Sequence, residues 1–116
     1  MAIKLNEAGF EHAKELIKGG LEVEKKDCDW NAHKPTKDEV AKFLENHYLE
    51  EYGLWFLGVN TDIPENMRER YVFPYGDLKI VHKTAVLLAE EEAARKGVKE
   101  VQEAAKRLLE MINKSK

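Results

Sequence analysis

The spacing of apolar residues along this chain is helical over most of its length, and it is most regular towards the C-terminus. Apolar residues from Leu78 to Ala93 recur every third or fourth position, between Asp77 as a cap and Gly97 as a stop. A second such face runs from Val98 to Ile112. The two segments predict an antiparallel helix hairpin joined at Gly97. We expect six residues to interdigitate in it: Val81, Ala85, Leu88, Val101, Ala105 and Leu108.

A shorter helix is predicted near the N-terminus. It begins after Asn6 as its N-cap and ends at Gly19–Gly20, because paired glycines readily adopt the left-handed conformation of a helix end. Residues 21–35 follow, with a short extended piece at Leu21–Val23 and then a polar run that contains Trp30. We interpret this run as an ordered loop that Trp30 anchors to the core.

The next predicted helix begins at a capping box formed by Thr36 and Glu39. The threonine hydroxyl accepts a hydrogen bond from a backbone N–H of the first turn, and the glutamate accepts one from the Thr36 amide. Helical spacing of apolar residues continues from there to Phe56, and either Asn46 or Gly53 is expected to break the helix in two.

Another short helix is predicted from Asp62 to about Tyr71. Pro74 and Gly76 then indicate a turn at Phe73–Asp77, which we name the signature turn. Together these elements predict an all-α fold, a single-domain bundle of about five helices over residues 1–116, with the hairpin at its C-terminal end.

Composition excludes several classes of protein. The hydrophobic fraction of 43% beside 35% charged residues is typical of a folded domain. No apolar stretch approaches the roughly 18 residues of a membrane span, and the N-terminus lacks a signal peptide, which predicts a soluble cytoplasmic protein without a membrane partner. The net charge of -3 argues against nucleic acid, although residues 66–116 are mildly basic.

Candidate chemistry is sparse. Cys28 and His33 have the spacing of a metal-ligand pair, but zinc needs three or four ligands and no second pair occurs. The other histidines lie far apart in sequence, and no glycine loop that could bind phosphate opens a helix. The sequence therefore predicts no metal, no cofactor and no catalytic residue.

One region is unusually rich in aromatic and basic residues. Six of the ten aromatic residues lie between residues 52 and 83, interleaved with arginine, lysine and histidine. A structural interpretation has the aromatics filling a junction between elements while Arg70 or His82 bonds to the signature turn. A functional interpretation has stacking faces beside cations, which suits single-stranded nucleic acid or an acidic segment of a partner. The candidate binding residues are Trp55, Arg70, Tyr71, Tyr75, His82 and Lys83.

The segments Trp55–Gly58, Glu69–Asp77 and Val81–Lys83, followed by an alanine-rich helix pair, resemble a group of small, uncharacterised proteins of archaea, bacteria and their viruses. That group carries a similar tryptophan and Leu-Gly, an Arg-Tyr-x-Phe-Pro-Tyr-Gly-Asp turn, and Val-His-Arg. The resemblance covers roughly residues 5–113 and implies one fold unit and no particular activity. Lys83 stands where that pattern has arginine, which would weaken a bidentate contact to carboxylate or phosphate.

These observations favour a non-enzymatic protein-interaction or accessory module, of viral or mobile-element origin, whose partner is another protein. The alternative is a nucleic-acid-binding protein that uses the basic and aromatic segment 66–83. A third hypothesis is a small enzyme built around His82, Asp77 and Arg70. The sequence leaves the oligomeric state open.

Overall fold

The computed structural model describes residues 3–19, 23–24 and 30–114, and it shows a mixed α/β fold. Two small β-sheets accompany the helices, so the predicted all-α helical bundle is wrong. The helices are α1 (Glu7–Gly19), α2 (Trp30–His33), α3 (Lys37–Asn46), α4 (Leu49–Gly53), α5 (Lys83–Lys96) and α6 (Lys99–Lys114). The strands are β1 (Ile3–Leu5), β2 (Val23–Glu24), β3 (Phe56–Asn60), β4 (Tyr71–Pro74) and β5 (Val81–His82).

The larger sheet has the strand order β1–β3–β4, and both neighbouring pairs are antiparallel. Ile3 lies opposite Asn60 in its register. The smaller sheet pairs β2 with β5 in parallel, with Val23 opposite Val81. Within the described part of the chain, β4 therefore has one neighbouring strand, and its second edge is free of strand pairing.

The predicted C-terminal hairpin is confirmed. Helices α5 and α6 pack against each other, and Gly97 joins them in the left-handed conformation, with φ of 73°. Leu108 is fully buried, as are Val101 and Ala105 on the same helix. The expectation for Leu88 is wrong, because its side chain is 45% exposed. Ala85 is buried as expected, and helix α5 also buries Val86, Ala89 and Ala93.

Local signals in the first half also predicted the structure well. Helix α1 follows Asn6 as expected. Trp30 is buried as expected, but it begins the short helix α2 where the sequence predicted a loop. The capping box is confirmed, since the Thr36 hydroxyl and the Glu39 carboxylate both make their expected bonds. The helix then ends at Asn46, one of the two predicted break points. Gly20, Leu21 and Cys28 lie outside the described residues.

The predicted extension of this helix through Trp55 and Phe56 is wrong. These residues match the helical spacing, yet Phe56 begins β3, whose backbone pairs with β1 and β4. Gly58 permits the close approach of β4, because a β-carbon at that position would lie 2.6 Å from the Phe73 ring. Pairing with distant strands therefore outweighs the local helical pattern.

Two further boundaries differ from the prediction. The helix expected at residues 62–71 is reduced to a 3₁₀ turn at Arg68–Arg70, which leads directly into β4. Asp77 does not cap the long helix, which begins only at Lys83. The Asp77 carboxylate instead accepts hydrogen bonds from the backbone N–H groups of Lys79 and Ile80, and so it stabilises a turn.

Candidate functional site

Trp55 and Tyr75, two residues of the predicted binding cluster, lie inside the protein. Tyr75 is 0% exposed and Trp55 is 7% exposed. Their ring centroids are 5.7 Å apart, and the backbone N–H of Tyr75 donates to the Trp55 carbonyl, which extends the β3–β4 ladder. Neither ring has the open face that stacking on a nucleic acid base requires.

The Tyr75 hydroxyl makes two hydrogen bonds at the end of this ladder. It donates to the Leu54 carbonyl at 2.5 Å and lies 2.9 Å from His12 Nδ1. Because a phenol carries one proton, the His12 Nδ1–H must be the donor in the second bond. Burial raises the pKa of Tyr75, so its hydroxyl keeps that proton. The arrangement fixes the orientation and tautomer of the His12 ring.

His82 is also buried, at 3% exposure, and it lies beside Asp77. The distance from His82 Nε2 to Asp77 Oδ2 is 3.0 Å. Burial on its own would raise the pKa of Asp77, but hydrogen bonds from the Ile80 N–H, from His82 and from the Lys79 N–H outweigh it and lower the pKa. Asp77 is therefore an anion whose oxygens are both occupied.

The turn held by this pair is strained. Leu78 has φ of 72°, in the left-handed region that residues with a β-carbon rarely adopt. Such a conformation costs on the order of 1–3 kcal/mol and persists where surrounding contacts impose it. The Asp77 carboxylate and the Asp77 N–H, which donates to the Ile80 carbonyl, supply those contacts.

The other predicted binding residues lie in different surroundings. The Arg70 guanidinium is half-buried and donates to the Ile63 carbonyl at 2.7 Å, so it stabilises the 60–70 loop. The sequence had instead predicted a bond from Arg70 to the signature turn. Tyr71 is half-buried with its ring 6.1 Å from that of Phe56. Lys83 is the half-buried first residue of α5.

The predicted cluster is thus divided between a buried group and separate half-buried residues. The structure brings Asp77 and His82 together as the enzyme hypothesis required, but Arg70 is bonded to another loop. His82 is enclosed, with its ring 5.3 Å from Trp30 and 5.5 Å from His33. Among the residues described, no group of three or more His, Cys, Asp or Glu is placed to hold a metal ion.

The sequence did not indicate a groove between the free edge of β4 and helix α5. Its volume is about 530 Å³, and Leu88 projects into it from the helix. We name it the β4–α5 groove. It is lined by Trp30, Phe56, Tyr71, Val72, Phe73, Pro74, Ala85, Leu88, Ala89, Glu92, Arg95 and Lys96. The one sequence signal for it was Leu88, a large residue on an otherwise alanine-rich face.

Comparisons with family models, with curated proteins and with solved structures found no match for this chain. The described helices include none that is both long and apolar enough to cross a bilayer.

Proposed function

We propose that this protein is a non-enzymatic interaction module of the cytoplasm. Its β4–α5 groove would bind an extended, mainly apolar segment of a partner protein that carries an acidic residue. The observation that carries this proposal is Leu88, a large apolar side chain left 45% exposed on the wall of a groove beside a free strand edge.

The backbone of β4 favours an extended partner. Its second edge pairs with no strand among the described residues. Pairing with β3 is interrupted at Phe73, whose φ is 62°, so the edge on offer is short. An extended segment of a partner could bond to this edge by β-strand addition. Pro74 offers only a carbonyl, which limits the number of bonds.

The side chains of the groove favour an apolar partner with a negative charge. Phe56, Val72 and Leu88 provide half-buried or exposed apolar surface. Arg95 is already paired with Glu92 at 2.7 Å, while Lys96 has no ion-pair partner among the described residues. An acidic residue of the partner would pair with Lys96 at the end of the groove.

Selection of binders from a library of random peptides displayed on phage tests this proposal. We expect enriched peptides with apolar residues at alternate positions and an Asp or Glu. Leu88→Glu should weaken their binding by about tenfold or more, because it places a charge in an apolar groove. Ala94→Glu is the matched control, since Ala94 is exposed on the same helix and does not line the groove.

Two results would overturn the proposal. One is a selection that yields no specific peptide, or peptides that bind the Leu88→Glu variant as well as the wild type. The other is a dimer in sedimentation experiments that dissociates on Leu88→Glu, which would show that a second copy of this chain occupies the groove. Lys96→Gln should weaken acidic peptides selectively, which tests the charged end separately.

A further inference from the structure

A second cavity system lies between α3, α4 and the turn that follows Gly76. Two adjoining cavities, of about 390 and 410 Å³, share Phe43, His47, Leu78 and Lys79 as lining residues. We name them together the Phe43–Lys79 cleft. Each cavity has a volume typical of a site for a small molecule.

All three carboxylates that line this cleft are occupied by internal hydrogen bonds. Glu39 accepts from the Thr36 amide in the capping box. Glu51 accepts from the Tyr48 amide and pairs with His47 Nδ1 at 3.1 Å, which lowers the pKa of Glu51. Asp77 holds its own turn and His82, as described above. The acidic residues of the cleft therefore serve the fold.

The lysine ammonium groups of the cleft, by contrast, have no internal partner in the described part of the chain. Lys42 and Lys79 are exposed, and neither side-chain ammonium group has a hydrogen-bond or ion-pair partner among the described residues. A ligand with an anionic group would supply the partner that these groups lack.

The walls of the cleft are flat and partly apolar. The Phe43 ring stacks on His47, with centroids 4.2 Å apart and planes 15° apart. Trp55 meets His12 edge to face at 5.2 Å. The strained conformation of Leu78 places that apolar side chain at the boundary shared by the two cavities. The Phe43–His47 stack and Leu78 offer the surface that suits a planar ring.

We propose that the Phe43–Lys79 cleft binds a small aromatic anion, a ring bearing a carboxylate or a phosphate. The ammonium groups of Lys42 and Lys79 would pair with the anion, while the Phe43–His47 stack and Leu78 contact the ring. This site is separate from the β4–α5 groove, and neither proposal depends on the other.

Titrations of the full chain followed by NMR test the proposal with four probes: benzoate, phenyl phosphate, benzyl alcohol and inorganic phosphate. We expect saturable binding of at least one aromatic anion, with amide shifts concentrated at Phe43, His47, Leu78 and Lys79. Benzyl alcohol and inorganic phosphate should both bind at least about tenfold more weakly. The alcohol lacks the negative charge, and inorganic phosphate lacks the aromatic ring. The two aromatic anions distinguish a carboxylate from a phosphate ligand.

Variants of the lysines make the test specific. Lys79→Gln should weaken the bound aromatic anion by about tenfold, because a charge-assisted hydrogen bond is lost. Lys106→Gln is the matched control on the exposed surface of α6 and should leave affinity unchanged. The proposal fails if neither aromatic anion binds saturably in the millimolar range. It also fails if inorganic phosphate binds as tightly as the aromatic anions, or if both lysine variants behave alike.

Discussion

The C-terminal hairpin and the segment from Trp55 to His82 hold their shapes by different means. In the hairpin, a repeated face of small apolar residues is buried along two adjacent helices. In the central segment, single polar side chains bond to backbone carbonyls outside their own strand or turn, as Tyr75 does to Leu54 and Arg70 to Ile63. The hairpin should thus respond chiefly to changes in packed volume, and the central segment to the loss of particular hydrogen bonds.

The largest expected effect is in the hairpin. Leu108→Ala should lower the free energy of unfolding by about 2–5 kcal/mol, because it opens a cavity where the leucine is fully buried. Leu88→Ala is the matched control, and we expect a loss of about 1 kcal/mol or less because Leu88 is 45% exposed. Urea melts of both variants measure the difference. Equal losses of stability would contradict the assignment of Leu108 to the core and of Leu88 to the exposed surface.

A smaller effect is expected when one hydroxyl is removed from the central segment. Tyr75→Phe keeps the packed ring but deprives the Leu54 carbonyl and His12 Nδ1 of their partner, at a cost of about 1–3 kcal/mol. Tyr48→Phe should change little, since Tyr48 is 76% exposed. Thermal and urea unfolding report both. A neutral Tyr75→Phe would show that packing alone holds this segment, as in the hairpin.

The smallest effect concerns pH and Asp77. Because the folded-state pKa of Asp77 is lowered, its ionised form adds stability that is fully present above the unfolded value of about 3.9. That contribution is lost as pH falls through the folded-state pKa. Asp77→Asn should therefore flatten the acid limb of the stability curve, measured by urea unfolding between about pH 5.5 and pH 2.5. Asp62→Asn, at an exposed position, serves as the control; if both variants keep the wild-type slope, Asp77 does not contribute through its charge.

The sequence predicted those features whose causes are local. Thr36 and Glu39 are three residues apart, and Gly97 ends a helix by its own backbone freedom, so neither depends on distant contacts. Apart from β2, which overlaps the extended piece expected at Leu21–Val23, the strands escaped prediction because each has two to five residues and is stabilised by partners far along the chain. Trp55 and Phe56 also fit a helical spacing. It is the pairing of β3 with β1 and β4 that favours a strand over a helix there.

The candidate sites were hard to predict for a related reason. Asp77 was identified as an acceptor for backbone N–H groups, but the sequence does not show whether those groups belong to a helix or to a turn. The exposure of Leu88 depends on how α5 is rotated on the core. The role of His12 cannot be predicted from its neighbours in the sequence, because its hydrogen-bond partner Tyr75 lies 63 residues away.

The pairing of β1 with β3, and of β2 with β5, has a consequence for the order of folding during synthesis. Ile3 lies opposite Asn60, and Val23 lies opposite Val81, so both early strands leave the ribosome long before their partners exist. The α5–α6 hairpin, by contrast, forms between neighbours and closes quickly once translated. We therefore expect the sheets to complete late, when the hairpin supplies the surface on which the waiting strands assemble.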